Sequence, residues 1–337
     1  MSRRSRRSKR KLNSLFMMLI LTGMLLLSST YAWFSASREV ALEGISAKVV
    51  AAEGLQISLD GESWSSKITL NQANLAAATQ NKYQWPTALN PVSTTGEVTG
   101  GALNLFAGDI SGDGTTLNNA AKESDLAVGG AGGKYIAFDL YFKNSSSKED
   151  GDILQLNTGT SVAINETNGK KGTGLENCIR SAVVLYSTKA GLTDDGATIR
   201  GLAAGTPSVC IWEPNYNQHI AEVVKNDTRV EGNSNSEVAT YGIKAVGDGT
   251  VAGVDQLQAG TNMDEQKTLR TAASVGTVTD MAALGTETKL TLAQNSIMKA
   301  RVYIWIEGQD VDCIDTASTG KQIDINLGFT KPEVKKD

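Results

Sequence analysis

Residues 301–307 read Arg301-Val-Tyr-Ile-Trp-Ile-Glu307, and this stretch alternates with period two. Val302, Ile304 and Ile306 fall on one side, Tyr303 and Trp305 on the other. Successive side chains of an extended chain point to opposite faces, so the pattern predicts a strand with one face on a core. Two further segments repeat it. Tyr135-Ile-Ala-Phe-Asp-Leu-Tyr-Phe142 places Ile136, Phe138, Leu140 and Phe142 together, and Ile323-Asp-Ile-Asn-Leu-Gly-Phe329 alternates strictly. Shorter β-branched runs bounded by Gly, Asn, Asp or Ser predict strands at Ile45–Ala51, Leu55–Leu59, Ile153–Leu156, Ser161–Ile164, Ile179–Ser187, Val209–Trp212 and Lys289–Leu292.

Helical periodicity is scarce. Asn71–Thr79 and Asp264–Ala273 are each long enough for a short helix only. The expected fold is therefore all-β: an antiparallel two-sheet sandwich, jelly-roll-like, preceded by an N-terminal signal or anchor helix. Residues 86–133, 188–206 and 225–288 are rich in Gly, Thr and Asn and read as long insertions, loops with short edge strands. No repeat and no Pro-rich linker divides the remainder, so residues 33–337 are expected to form one extracellular domain.

The 337 residues carry a formal charge of −4, which conceals a segregation. Arg3, Arg4, Arg6, Arg7, Lys9, Arg10 and Lys11 open the chain, and no acid precedes Glu39. Taking residues 1–32 away leaves 25 basic against 36 acidic side chains, a net of −11. After the cations comes an apolar run, Leu15–Leu27, and then Ser28-Ser-Thr-Tyr-Ala32. A cationic head, an apolar centre and small residues at −3 and −1 make a secretory signal. Thr30 and Ala32 suit those two positions, which puts signal peptidase cleavage between Ala32 and Trp33. The competing reading is an uncleaved anchor: residues 15–34 are long enough to cross a ~30 Å hydrocarbon layer, with the cations on the cytoplasmic side. Both readings leave the body extracellular or on the cell surface. An acidic exported body also excludes nucleic acid as a partner.

Few residues offer chemistry. A single histidine, His219, excludes the H-E-x-x-H zinc site and a three-His zinc. No G-x-S-x-G elbow accompanies it, and Gly129–Lys134 lacks the Walker spacing. No catalytic residue is expected; the alternative is an extracellular hydrolase built on His219 or on acids that the fold assembles. No cofactor is expected except calcium, for which two oxygen-rich segments qualify. Asp109, Ser111, Asp113 and Gly114 match the first half of an EF-hand loop, although position twelve is Ala120, and Asp310, Asp312 and Asp315 form an acidic cluster. Ordinary turns give the same composition. Cys178, Cys210 and Cys313 allow three disulfide pairings, or serve as small buried apolar side chains. Trp212, Tyr303 and Trp305 are candidates for a stacking or partner surface, against packing beneath a covering loop.

The junction Ser29-Thr-Tyr-Ala-Trp-Phe-Ser35 resembles the cleavage region of the TasA/camelysin-like secreted surface proteins of Gram-positive bacteria, cut by a dedicated signal peptidase of the SipW type. Ile45–Leu59 resembles the first mature strands of that family. Arg301–Cys313 with Ile323–Phe329, and Val209–Asn215, look like strands of surface proteins with the same start. The resemblance implies a jelly-roll sandwich and a biofilm-matrix fibre subunit whose N-terminal strand completes a neighbour's sheet. A freed segment from Trp33 to about Val50 has the composition to do so. The function expected is thus an exported structural protein of the cell surface or matrix. Its partners would be further copies, related surface proteins, signal peptidase, and the membrane if residues 15–34 remain attached. The alternative is an adhesin or carbohydrate-binding module.

Overall fold

The computed structural model describes residues 17–22, 45–51, 54–78, 80–110, 117–123, 132–147, 149, 151–156, 160–164, 174–193, 195–203, 208–212, 219–220, 245–246, 276–278, 291–310, 312–313 and 323–331. The chain divides into two units, Met1–Ser37 and Arg38–Asp337. In the first, residues 17–22 are helical (α1), and Thr22 Oγ1 donates to the Met18 carbonyl at 2.8 Å. Met17, Met18, Leu19, Ile20 and Leu21 are 46–70% exposed. Among the described residues no helix is long and apolar enough to cross a membrane.

The second unit is all-β. Its strands are β1 (Ile45–Ala51), β2 (Leu55–Ser58), β3 (Lys67–Leu70), β4 (Tyr83–Gln84), β5 (Pro91–Thr99), β6 (Ala102–Ile110), β7 (Leu117–Lys122), β8 (Ile136–Asn144) and β9 (Asp152–Ile153). They continue as β10 (Gln155–Leu156), β11 (Ser161–Ile164), β12 (Ile179–Ala190), β13 (Ser208–Trp212), β14 (Ala245–Val246), β15 (Gly276–Val278), β16 (Thr291–Leu292), β17 (Ser296–Glu307) and β18 (Ile323–Thr330). Among the described residues two short α-helices, α2 (Gln72–Ala77) and α3 (Gly196–Arg200), interrupt them.

In one sheet β1 lies between β18 and β3, while β10 and β11 pair the far side of β18. The larger sheet is centred on β17, which pairs β12 on one side. On its other side β17 pairs β8 from Ser296 to Ile304 and β5 at Ile306 and Glu307. Strands β6, β7 and β14 extend the sheet beyond β5, β13 and β15 extend it beyond β12, and β2 and β4 pair β8.

The expected antiparallel order is not what forms: the sheets are mixed. Strands β1 and β18, β5 and β17, β7 and β14, and β13 and β15 run parallel. Alternation reports which face a side chain takes and is silent on strand direction. Parallel neighbours need long crossovers, and the pairs here are far apart in sequence; β1 and β18 are the first and last of the described strands.

Residues 86–133, expected as an insertion of loops and short edge strands, supply two nine-residue strands of the larger sheet, β5 and β6, and the six-residue β7. The hairpin between β5 and β6 turns through Gly100 and Gly101, at φ 61° and 85°, with Thr99 opposite Ala102. A two-residue loop with both φ positive matches the right-handed twist of the flanking strands and is open to glycine at little cost. Residues 188–206 hold the end of β12 and α3, whose Asp195 cap accepts from Thr198 N–H at 2.8 Å. The helix expected at Asn71–Thr79 forms as α2, with Asn71 Oδ1 accepting from Asn74 N–H at 2.8 Å. The helix expected at Asp264–Ala273 lies outside the described residues, as does all of 225–288 except β14 and β15.

Two apolar clusters flank β17. The first takes Met298, Ala300, Val302, Ile304 and Ile306 together with Ile136, Phe138, Leu140 and Phe142 of β8, and joins them to Val49 of β1 and to Ile325 and Phe329 of β18. Phe142 and Phe329 meet edge to face, centroids 5.1 Å apart. The second takes Tyr303 and Trp305 with Leu103 and Leu105 of β6, Ala182 and Val184 of β12, and Ile211 of β13. Strand β17 is therefore buried on both faces along its whole length.

Candidate functional site

The side chains with chemistry gather on the odd-numbered face of β17 and in the turn that follows it. On that face Asp139 of β8 receives Arg301 Nε at 2.8 Å and Lys299 Nζ at 3.1 Å, all three groups buried. Burial works to lower the Arg301 guanidinium, but Asp139 beside it prevails and holds it above its ordinary value. Burial, and then the Asp139 charge, push the Tyr141 phenol up. A single carboxylate thus pairs with two cations that a core could not otherwise hold.

Further along, Leu103 N–H donates to Tyr303 Oη at 3.1 Å, and Trp305 Nε1 donates to Glu307 Oε2 at 3.1 Å. Ser93 Oγ of β5 donates to Glu307 Oε1. Burial drives the Glu307 carboxyl up to about 7; its bonds from Ser93 and Trp305 and the nearby Arg180 charge only partly counter this.

After Glu307 the chain turns, with Asp310 N–H donating to the Glu307 carbonyl and Cys313 N–H to the Asp310 carbonyl. Arg180, at the start of β12, ion-pairs Asp310 through Nη2 and caps the Asn177 carbonyl with Nη1 at 2.8 Å. Asp312 Oδ2 lies 2.8 Å from His219 Nδ1, and Asp312 Oδ1 accepts Ile220 N–H at 2.8 Å. Burial raises the Asp312 carboxyl, although the His219 bond opposes that shift. The single-turn 3-10 helix Leu175–Cys178 delivers Asn177, whose Nδ2 reaches Asp312 Oδ2 at 3.4 Å, and Cys178, whose Sγ faces the Gly174 carbonyl at 3.6 Å. Cys178 and Cys313 are both fully buried thiols, and each touches the other's side chain.

This arrangement revises several expectations. Tyr303 and Trp305 are 1% and 0% exposed and Trp212 is 4% exposed, so none of the three rings presents a binding surface. The reason is the β5–β6 hairpin: its Leu103 and Leu105 share one cluster with both β17 rings, while Trp212 points into the first cluster. His219 reads as a loop residue in the sequence, yet its ring is 3% exposed and held by Asp312.

The acidic candidates separate. Asp310 and Asp312 direct their carboxylates at Arg180, His219, Asn177 and a backbone N–H, while Asp315 lies outside the described residues. Asp109 is exposed on β6 and accepts from Asn119 Nδ2 of β7 at 2.9 Å. Asp109 pairs across the ladder with Asn118, so these residues join two strands rather than two helices. Ser111, Asp113, Ala32 and Trp33 lie outside the described residues. No three groups able to hold a metal converge among the described residues.

A cysteine, a histidine and an aspartate at one place are the residue types of a nucleophile and its base. Here burial pushes the Cys178 thiol well up, and Cys313, Asp310 and Asp312 push it further, which opposes the thiolate that would attack. The arrangement holds the β17 turn against the start of β12.

Asp139, Arg180 and Glu307 were not singled out by motif. Their signal is a lone charge inside an apolar run: Asp139 within Ile136–Phe142, and Arg180 at the head of Ile179–Leu185. A charge that a strand must bury implies a partner. Compared with family models, with curated proteins and with solved structures, the chain matches none.

Proposed function

We propose that this chain is an exported structural protein of the cell surface or extracellular matrix, a fibre subunit with a jelly-roll-like sandwich body that assembles by strand addition. The observation that carries export is α1. Five successive apolar side chains, Met17 to Leu21, stand 46–70% exposed on a helix that follows seven cations. An apolar helix without a polar face belongs in a lipid or translocon environment. Cleavage between Ala32 and Trp33, or retention of residues 15–34 as an anchor, follows from the same stretch.

Support for assembly comes from β1. It is the first strand of the body, continuous with the segment a signal peptidase would free, and it occupies a mid-sheet slot. From Ile45 to Ala51 it pairs β18 in parallel, and from Ala47 to Val50 it pairs β3. Ala47 and Val49 are buried there. A copy of β1 from a neighbour, in the same register, would restore every one of these contacts, which is the requirement for exchange between subunits. Residues 45–51 are therefore the donated strand, and their own sheet is the acceptor. A glycan platform on Trp212, Tyr303 and Trp305 would require buried rings at the surface and is not part of this reading.

The experiment locks the strand at home. Lys48 and Asn326 face each other across the β1–β18 pair. The double variant Lys48→Cys with Asn326→Cys, oxidised as a monomer, should lose the filaments that the native protein forms on the cell surface under electron microscopy. Reduction should restore them. Monomers in every state, on cells and after purification, would sink the fibre reading. A native chain recovered from the cytoplasm with Met1 intact would sink export.

A further inference from the structure

We propose that Cys178 and Cys313 are a disulfide pair, which forms as the chain folds in an oxidising compartment and clamps the turn after β17 to the start of β12. The pairing rests on three placements. The residue before each cysteine meets its counterpart: Asn177 Nδ2 reaches Asp312 Oδ2 at 3.4 Å. Two residues after Cys178 and three before Cys313, Arg180 is ion-paired with Asp310. Between these two fastenings the Cys178 thiol is already in side-chain contact with Cys313. Cys178 is thus fastened on both sides, and the two groups that fasten it, Asp310 and Asp312, lie just ahead of Cys313.

Register also removes the third cysteine. Cys210 stands opposite Val183 on the neighbouring strand, five residues along β12 from Cys178. At about 3.3 Å per residue that is roughly 16 Å, well beyond the ~7 Å between Cα atoms that a disulfide spans. Cys313 lies beyond the end of β17 at Glu307, whereas the β17 residue level with Val183 is Val302. The three pairings that composition leaves open reduce to one.

The step balances with a disulfide-bearing oxidant. One cysteine thiolate attacks a sulfur of the oxidant's disulfide, forms a mixed disulfide and releases the first oxidant thiol. The other cysteine thiolate then attacks the mixed disulfide at the chain's own sulfur and releases the second oxidant thiol. Two thiols of the chain lose two electrons and two protons, and the oxidant's disulfide takes both up. Both thiols are 0% exposed in the folded chain, and burial with Asp310 and Asp312 opposes a Cys178 thiolate there. Exchange therefore belongs to folding, before the site closes, and the finished bond is shielded from reductant. A link between residues 135 apart removes much chain entropy from the unfolded state.

The export reading supplies the compartment, but the pairing itself is tested apart from it. The full-length chain, unfolded and reduced, is refolded with a glutathione redox couple, denatured, alkylated and mapped by mass spectrometry. The expected result is a Cys178–Cys313 linked peptide and one alkylated cysteine, Cys210. The oxidised protein should melt roughly 5–15 °C above the reduced one. Cys178→Ala with Cys313→Ala should melt near the reduced protein whether or not oxidant is present. Three alkylated cysteines after oxidative refolding, or a link that includes Cys210, overturns the proposal. If the reduced chain does not refold, the same mapping is applied to chain purified from cells without alkylating agent, oxidised with glutathione disulfide under partial denaturation and only then alkylated, with the same two outcomes. Pairing in vitro beside three free thiols in chain taken directly from cells would leave the pair standing and overturn export instead.

Discussion

From residue 298 to 307 the two faces of β17 are both buried and differ in chemistry. On the even-numbered face Met298, Ala300, Val302, Ile304 and Ile306 join one apolar cluster with neighbours from β8, β1 and β18. On the odd-numbered face Lys299, Arg301, Tyr303, Trp305 and Glu307 are also buried, yet each carries a polar group with a partner, across the fold for all but Trp305, which donates to Glu307. The first face is held by area removed from water, which tolerates small changes of shape. The second is held by matched groups, and removing one leaves its partner stranded.

The sharpest way to break this comparison is Asp139→Ala. It leaves Lys299 and Arg301 buried without their carboxylate, and breaking a buried pair costs about 3–5 kcal/mol. Denaturant unfolding should show a loss of that order. If the loss were no larger than for one methyl group on the even face, the odd face would be held by packing alone and the comparison would fail.

The next effect is carried by pH. The Glu307 carboxyl stands at about 7 in the folded protein against an ordinary 4.5. Between those values the folded chain binds the proton and the unfolded chain does not. The stabilisation is therefore full below about pH 4.5 and is lost as pH rises through 7, about 3 kcal/mol in all. Glu307→Gln should remove that slope. Burial-raised Asp312 adds a slope of the same sign, while Asp60 and Asp152, held low by hydrogen bonds that outweigh burial, add slopes of opposite sign. The measurement is accordingly the difference between native and variant stability, taken from pH 4 to 8. A flat difference would mean that Glu307 titrates in the fold as it does in the unfolded chain.

These two residues also show what was legible in the sequence. Every long alternating run became a strand, because period two is a property of the extended backbone and survives any topology. The burial of Ile304 could be read for the same reason. The burial of Trp305 could not: an odd face flanked by Lys299, Arg301 and Glu307 looks like a solvated face until Asp139, Ser93 and the β5–β6 hairpin are in place. Arg301 is 162 residues from Asp139 in sequence, and Glu307 is 214 from Ser93. Strands β5, β6 and β7 escaped for a related reason, since Ser, Thr, Asn and Gly serve edge strands and loops alike. The parallel pairs were invisible because direction leaves no local mark. The Cys178–Cys313 contact needed both β12 and β17 in register before composition's three pairings became one.

A smaller effect separates apolar area from matched groups on the even face itself. Ile304→Val removes one methylene beside Ile136 and should cost about 1 kcal/mol, independent of pH. A pH-dependent cost would tie this face to the polar network and blur the distinction between the two sides of the strand.

The smallest expected effect lies outside both clusters, on the rim of β8. Lys143 sits with its ammonium 4.2 Å from the Trp64 ring centroid, and the half-buried Trp64 packs against Tyr141, Ile199 and Ile297. A cation over an aromatic face at a solvated site contributes about 0.5–1 kcal/mol. Lys143→Met keeps most of the stem and removes the charge, so it should cost no more than that. Asp139 meets its cations away from water, where the alternative to pairing is an unsolvated charge. Lys143 can return to water, and the same class of interaction is then worth a fraction of the buried one. Unfolding curves for Lys143→Met and Asp139→Ala, measured side by side, should therefore differ several-fold, and equal losses would show that burial does not set the strength of charge contacts along this sheet.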